Sequence, residues 1–574
     1  MSRKLIDNAR KRLSSEAGTV FHPWQERYRI ALIYPNTYHQ GMSNLGFQTV
    51  YHLLNSRDDC LCERFFLPDP DDLKEYEATG SQLLSLENQR PLLDFDLIAL
   101  SVSFENDYLH LPIIFRLGKI PLFAADRTDR QPLVLFGGVC AFLNPEPLAE
   151  LVDLVAVGEA EPILPALLKV LQAGNGSKDL LLSRLSVLPG IYVPSGYQVD
   201  YSDDGTLSGI SSLGPAPGRV ERQYLADLDS SPSRTFIHTP ETEFGDMSLA
   251  EVSRGCSRGC RFCAAGYLYL PARDRSLENL LEQVDEGLCQ RERIGLVGAA
   301  VADHPQIDTL QQGILKRGGK VSVSSLRLDA LSQAEVESLR SSGHRTVSLA
   351  PEAGSQRMRD LINKGLDEKQ ILHAVHLLAD GDIQNLKLYF LIGLPTENQN
   401  DLEELLALTE KIRMIWREAG RKRGSLGTVT LSVNPFIPKP FTPLQWAAMD
   451  GEKSLKKKIQ FLRKGIARMP NTDLHSESIR AARLQAFLSR GDRRVATVLP
   501  LLASGIKLKQ ACREVGLDPD FYIDRERGKD ELFPWDVLEQ GVRRDHLWGE
   551  YQRGLQGELS PRCMPGCKRC GVCA

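Results

Sequence analysis

Glu251-Val252-Ser253-Arg254-Gly255-Cys256-Ser257-Arg258-Gly259-Cys260-Arg261-Phe262-Cys263-Ala264 decides how the rest of the chain is read. Three cysteines stand at a C-x3-C-x2-C spacing, with an aromatic residue, Phe262, before the third. Thiolates this close in sequence can meet on one metal centre if the backbone wraps around it. Gly255 and Gly259 allow that wrapping, because glycine reaches backbone angles that other residues avoid. A structural zinc site is closed by four protein ligands. Three cysteines leave one position open, and an iron–sulfur cubane held by three has one iron free for a small molecule. The plainer alternatives are a zinc knuckle or three unconnected core cysteines.

Working outward, 574 residues suggest three or four domains of ~150 residues each. With 42% hydrophobic and 25% charged residues, the chain can bury ordinary globular cores. A net charge of −4 argues against a protein coated over its whole surface by nucleic acid. No segment is apolar for long enough to span a bilayer, and residues 1–10 lack the apolar core of a signal peptide. The expectation is a cytoplasmic protein without membrane contact. There, twelve cysteines are better read as ligands than as disulfides. Seven of them form two groups, Cys256/Cys260/Cys263 and Cys563/Cys567/Cys570/Cys573, and the other five are scattered.

Before the loop, a polar helical leader (1–27) precedes a doubly wound pattern over 28–190. Short apolar strands at 29–35, 96–103, 132–138 and 151–159 alternate with helices at 45–54 and 163–171. Near-continuous apolar strands between helices predict a parallel sheet covered on both faces. Residues 191–247, rich in Gly, Pro, Ser and Asp, predict a β excursion and linker. After the loop, strands at 247–252, 293–298, 320–327, 346–354, 386–395 and 428–433 alternate with helical segments. Six such units predict a partial (β/α)6 barrel over 248–450, whose active site gathers at the carboxyl ends of the strands. A basic helical region (451–550) and a Cys-rich tail (551–574) complete the α/β chain.

The cysteine spacing, with Phe262 before the last cysteine, resembles the radical S-adenosylmethionine (SAM) superfamily. The resemblance implies a [4Fe-4S] cluster on Cys256, Cys260 and Cys263, SAM chelating the open iron, and reductive cleavage of SAM to a 5′-deoxyadenosyl radical. An electron donor such as flavodoxin or ferredoxin is implied with it. Val297-Gly298-Ala299-Ala300 occupies the place of the Gly-Gly-Glu run that meets the SAM amino group; Gly298 is kept and the glutamate is missing. Ser324, Ser325 and Arg327 stand where the family contacts the SAM ribose or carboxylate, and Arg327 suits a carboxylate because its planar fork binds it bidentately. Glu352 stands where a carboxylate can accept both ribose hydroxyls; a salt bridge to Arg357 or Arg359 is the alternative. Leu391–Glu397 resembles the fifth-strand motif that packs on adenine, and Phe436–Trp446 looks like B12-type radical SAM and methylthiotransferase sequence.

The first domain resembles the cobalamin-binding domain that precedes many radical SAM domains. The matching features are Tyr34-Pro35, Asn44-Leu45-Gly46, Ser101-Val102-Ser103, Phe136-Gly137-Gly138 and Val157-Gly158-Glu159-x-Glu161. The resemblance implies a corrin lying against Ser101, Ser103, Gly137 and Gly138. The D-x-H-x-x-G motif whose histidine ligates cobalt is absent. The nearest run is Thr37-Tyr38-His39-Gln40-Gly41, whose His39 lacks the aspartate and the spacing. A Rossmann-like scaffold without cofactor is the alternative.

The tail, Arg562-Cys563-Met564-Pro565-Gly566-Cys567-Lys568-Arg569-Cys570-Gly571-Val572-Cys573, carries four cysteines at C-x3-C-x2-C-x2-C spacing. Four thiolates within eleven residues can close a metal site unaided, as an auxiliary [4Fe-4S] cluster or as zinc. Residues 451–494 hold twelve Lys and Arg against four Asp and Glu. The run Lys453, Lys456, Lys457, Lys458, with Arg463, Lys464 and Arg468, can face RNA phosphates or simply water. The sequence therefore predicts a radical SAM enzyme. A cobalamin-type radical methyltransferase is the first expectation, and an RNA-modifying enzyme of methylthiotransferase or hydroxylase type is the alternative. A non-catalytic, metal-binding, RNA-associated protein is the reading from another class.

Overall fold

A computed structural model describes every residue except Met1, Asn175, Ser324, Ser325, Arg327, Ala330, Pro565 and Ala574. The chain forms two compact units that do not follow chain order. The first comprises residues 1–249, 488–519 and 530–541; the second comprises 250–487, 520–529 and 542–574.

The first unit is built on strands β1 (Tyr28–Tyr34), β2 (Cys60–Phe66), β3 (Leu97–Ser101), β4 (Leu133–Gly137), β5 (Leu154–Ala156) and β6 (Ile191–Tyr192), in the order β2-β1-β3-β4-β5-β6. All pairs are parallel except β5–β6. This is a doubly wound sheet whose strand order reverses between β1 and β3. Ile30, Leu32, Leu97 and Leu135 of the strands pack with Phe47, Tyr51, Leu167 and Leu171 of the covering helices. Strand β2 escapes a hydrophobicity reading because Glu63 and Arg64 stand inside it. Arg64 is fully buried between Glu16 (2.7 Å) and Glu87 (2.6 Å), so the charge is neutralised within the core.

Residues 191–247 contain an antiparallel hairpin, β7 (Tyr197–Tyr201) and β8 (Leu207–Ser212). A short strand, β9 (Val220–Glu221), pairs with a strand near the other end of the chain, β19 (Leu538–Glu539). The segment returning from residue 488 is fixed by Asn144, whose amide donates to the Ser489 and Gly491 carbonyls. Arg493 bonds Glu146 and the Tyr192 hydroxyl.

The second unit carries β10 (Ser248–Glu251), β11 (Ser253–Arg254), β12 (Arg273–Asp274), β13 (Arg293–Val297), β14 (Lys320–Val323), β15 (Thr346–Glu352), β16 (Asn385–Ile392), β17 (Thr428–Pro435) and β18 (Thr472–Ser476). Among the described residues these form two main sheets, β10-β13-β14 and β15-β16-β17-β18, where the sequence predicts one partial barrel. The pairs β13–β14, β15–β16, β16–β17 and β17–β18 are all parallel. β18 is an addition within the stretch expected to be helical; its Thr-Asp-Leu-His-Ser sequence is too polar to announce an edge strand. Burial alternates strictly along β16 and β17. Helix Glu452–Ile466 buries Leu455, Ile459, Leu462 and Ile466, spaced to form one face. No described helix is long and apolar enough to cross a membrane.

Candidate active site

The three-cysteine loop leaves the carboxyl end of β10. Val252 donates its N–H to the Val297 carbonyl (2.8 Å), and β11 pairs with β12 to close the loop at its base. Gly255 sits at φ +85°, and a side chain there would meet the Tyr269 carbonyl at 2.5 Å. Gly259 sits at φ +68°. Both angles lie where only glycine is unstrained. Gly298, at the end of β13, is also required for packing, since a Cβ would stand 2.8 Å from Ser253 Oγ.

The loop's side chains are tied on every side. Arg258 donates to both oxygens of Asp303 and to Asp329. Arg261, fully buried, donates to the Asp360 and Leu361 carbonyls and pairs with buried Glu550 at 3.1 Å. Asn363 donates to the Gly259 carbonyl at 3.1 Å. Lys364 pairs with Glu352 at 3.2 Å. Glu352 ends β15 at φ +65°, beyond a register shift, an uncommon geometry for a residue with a side chain. Its partner is Lys364 rather than Arg357 or Arg359. Arg357 binds Asp401 and Thr396, and Arg359 donates to the Ala353, Gly354 and Leu366 carbonyls. Glu397 accepts from the Gly393 N–H and pairs with Lys458. Ser324, Ser325 and Arg327 lie outside the described residues.

Burial raises all three loop thiols, and Cys260 is pushed up to about 12. The nearby Lys364 cation works against that shift at Cys260 and Cys263. Metal uptake here must displace protons.

The tail returns to the same place. Helix Arg544–Leu555 is seated by Trp548 and Tyr551, whose rings lie 5.1 and 6.2 Å from that of Trp446. Beyond the helix, Arg261 donates to the Glu558 carbonyl and to Ser560 Oγ. Ser560 N–H donates to Asn363 Oδ1, and Cys563 N–H donates to the Ser257 carbonyl at 2.7 Å. Arg569 donates to Cys567 Sγ at 3.3 Å and, with its own backbone N–H, pulls that thiol below its ordinary value. One open cleft is lined by Cys256, Tyr267, His546, Cys563, Cys567 and Cys570, among others. Two cysteine motifs three hundred residues apart thus share a wall. Among the described residues, no group of three or more His, Cys, Asp or Glu is already arranged to hold a metal ion.

Residues 46–194 match the family described as radical SAM proteins, N-terminal, and residues 250–409 match the radical SAM superfamily. The chain carries radical SAM superfamily domains. Over 511 residues it is 29% identical to an uncharacterized protein of Methanocaldococcus jannaschii, covering 88% of this chain and 96% of that one. Over 328 residues it is 23% identical to the anaerobic magnesium-protoporphyrin IX monomethyl ester cyclase of Cereibacter sphaeroides, covering 54% and 48%. Over 233 residues it is 25% identical to the tRNA-2-methylthio-N(6)-dimethylallyladenosine synthase of Anaplasma phagocytophilum, covering 38% and 52%. The match thus spans about half of each of these last two proteins. Among solved structures, coproporphyrinogen III oxidase of Escherichia coli aligns with a TM-score of 0.28 at 13% identity, covering 48% of this chain and 80% of that one.

A radical SAM fold implies SAM and a [4Fe-4S] cluster. The donor set fits in kind: three half-buried thiols on a glycine-wrapped loop at a strand's carboxyl end, with Cys256 on the cleft. When bound, cluster and SAM supply a 5′-deoxyadenosyl radical. The chain's own part is to hold them in place, to position the substrate and to limit water.

The corrin expected in the first unit meets a different setting. Val102 fills the space beside Gly138, whose Cβ would fall 2.4 Å from its carbonyl oxygen. Gly137 pairs in register with Ser101, which is buried in β3, and Ser103 Oγ accepts from the Asn44 amide. His39 is exposed on the short helix Tyr38–Met42. These contacts belong to the domain's own packing, and a corrin site is not shown by them. Arg261, Asn363, Lys364, Glu550 and Ser560 are the site residues that a sequence reading misses. All but Lys364, whose partner Glu352 is twelve positions back, are singled out by partners far along the chain.

Proposed function

We propose that this radical SAM enzyme works with two thiolate-held centres and modifies a nucleoside in RNA, in a reaction of the methylthiotransferase type without cobalamin. The observation that carries the reading is the cleft lined together by Cys256 and by Cys563, Cys567 and Cys570. A substrate entering it meets the radical-generating centre on one side. On the other it meets a second metal centre, held by Cys563, Cys567, Cys570 and Cys573 as iron–sulfur or zinc. The filled space beside Gly138 favours this over corrin-dependent methyl transfer.

Two further observations support an RNA substrate. One is the likeness to a protein named for 2-methylthio modification of a tRNA adenosine. The other is the outer face of helix Glu452–Ile466. Lys456 is paired with Glu452, and Lys458 with Glu397 and Asp450, whereas Lys453, Lys457 and Lys464 are exposed and point opposite the buried Leu455–Ile466 face. Cations on one such stripe suit consecutive phosphates. Glu352 and Lys364 form the charged pair beside Cys260 that can meet the polar groups of SAM, Glu352 at the ribose hydroxyls, and the backbone at Gly298 is the nearest remnant of the amino-group contact.

The test has two parts. Anaerobically reconstituted protein is analysed for iron, sulfide, zinc and corrin, and for 5′-deoxyadenosine formed from SAM. RNA from a deletion strain is digested and its nucleosides compared with wild type by mass spectrometry. Two metal centres, no corrin and one missing modified nucleoside are expected. Stoichiometric corrin would restore the methyltransferase reading, and an unchanged nucleoside profile would remove RNA as substrate.

A further inference from the structure

The tail past Leu555 is ordered without the means that usually order a chain. Among its described residues there is no helix or strand. Leu559 and Met564 are 51% and 66% exposed, and Cys570 is the one hydrophobic residue of the described tail that is buried. Fixing some eighteen backbone positions costs conformational entropy that a single buried thiol cannot offset. What the tail does have is polar attachment and four thiols within eleven residues, three of which line one cleft.

The attachment is not spread evenly. Much of it falls on the three-cysteine loop and its supports, while Arg562 pairs with Asp329 and Ser560 Oγ donates to Glu550. Cys563 N–H reaches the Ser257 carbonyl, Ser560 N–H reaches Asn363, which in turn holds the Gly259 carbonyl, and Ser560 Oγ and the Glu558 carbonyl accept from Arg261. Ser257, Gly259 and Arg261 are alternate residues threaded between Cys256, Cys260 and Cys263. Arg543 grips the tail from the other side, donating to the Lys568 and Arg569 carbonyls and, through its backbone, to that of Cys570.

We infer that the metal held by Cys563, Cys567, Cys570 and Cys573 is a clasp: its binding orders the tail, and the ordered tail fixes the loop that carries the radical-generating centre. The inference rests on the reading above that the tail holds a thiolate-ligated metal, and adds that its occupancy governs the first site. An iron–sulfur cubane and zinc share the needed chemistry, several bonds from soft thiolates converging on one small body, so either can act as clasp. Metal binding that creates its own site is coupled to the ordering of the ligand-bearing segment.

The experiment compares the full-length, anaerobically purified wild type with Cys567→Ser/Cys573→Ser, in which no strongly buried side chain is changed. Iron, sulfide and zinc are counted, hydrogen exchange is followed over 556–573 and 255–263, and the reduced loop cluster is observed by electron paramagnetic resonance with and without SAM. The variant is expected to lose one centre and to exchange both segments at least about tenfold faster, the mark of local opening. Its resonance should also respond differently to SAM. The clasp is overturned if the variant loses the tail metal yet keeps both segments protected, or if only the tail loosens. A wild type without any tail metal would instead remove the two-centre reading itself. Exchange of β16 is the internal control; if it rises too, Cys573→Ser alone is read by the same criteria.

Discussion

The two cysteine motifs begin alike, C-x3-C-x2-C in each, and end in different surroundings. The loop thiols are half-buried beyond the carboxyl end of β10, and burial raises all three. In the tail, Cys570 is buried and the other three are half-buried; burial raises Cys563 and Cys573 as well, and Arg569 lowers Cys567. The same spacing therefore makes two different ligand sets. One is framed by two positive-φ glycines, as the tail is by Gly566 and Gly571, and by a buried arginine that the tail lacks. The other is held by hydrogen bonds to its neighbour. Spacing decides whether thiols can converge, and surroundings decide how readily they give up protons and what is exposed when they do.

The largest expected effect separates the motifs by function. Cys260→Ala should reduce 5′-deoxyadenosine formation to background. Cys573→Ala should remove only the tail metal, roughly half the iron if both centres are cubanes. Retention of SAM cleavage by Cys260→Ala, measured by chromatography of the reaction mixture, would erase the distinction.

Next is Arg261, which serves both motifs. Arg261→Ala leaves buried Glu550 with only the longer 3.7 Å contact to Arg553, and loss of one partner of a buried pair costs up to about 3–5 kcal/mol. Denaturant unfolding followed through tryptophan emission should show it, because Trp446 and Trp548 lie where the tail helix packs. A shift below about 1 kcal/mol, the size of a surface pair, would mean that the hub is not holding the tail.

A smaller effect sharpens the electrostatic contrast. In metal-free protein at neutral pH, iodoacetamide should modify Cys567 before Cys260, because the thiolate is the nucleophile. Cys567, depressed by Arg569, loses reactivity only as pH falls through its lowered value. Cys260, at about 12, gains reactivity only as pH rises toward that value. The ratio of the two, read by peptide mass spectrometry, should narrow with rising pH, and equal rates at pH 7 would refute the contrast.

The smallest effect concerns the partner. Lys453→Ala/Lys457→Ala/Lys464→Ala should flatten the salt dependence of RNA binding by about 0.7 in log–log slope for each phosphate that is no longer neutralised. Lys458→Ala should change it little, since Lys458 is already paired with Glu397 and Asp450. Equal slopes for the triple variant and wild type would return this helix face to the solvent.

Much of the sheet-and-helix pattern is legible from apolar runs, and the elements that are not share a cause. β2 is interrupted by Glu63 and Arg64, and the partners that neutralise Arg64, Glu16 and Glu87, lie elsewhere in the chain. β18 is an edge strand with one aliphatic residue. In the site, Glu352 is visible as a carboxylate at a strand end, but its partner Lys364 is reached only because the chain turns back after residue 361. Gly137 and Gly138 stand out in the sequence as a ligand-binding pair. The backbone of Val102 occupies the space that the second of them leaves.

The sequence by itself determined the three-ligand loop, because three thiols and two glycines within nine residues constrain one another through local backbone geometry alone. It also determined the four-thiol tail, for the same reason. Only the tertiary structure decided that these two lie on one cleft. That depends on Trp446 receiving Trp548 and Tyr551 and on Arg261 receiving Glu550. Such contacts join residues a hundred or more positions apart, and neither periodicity nor spacing encodes them.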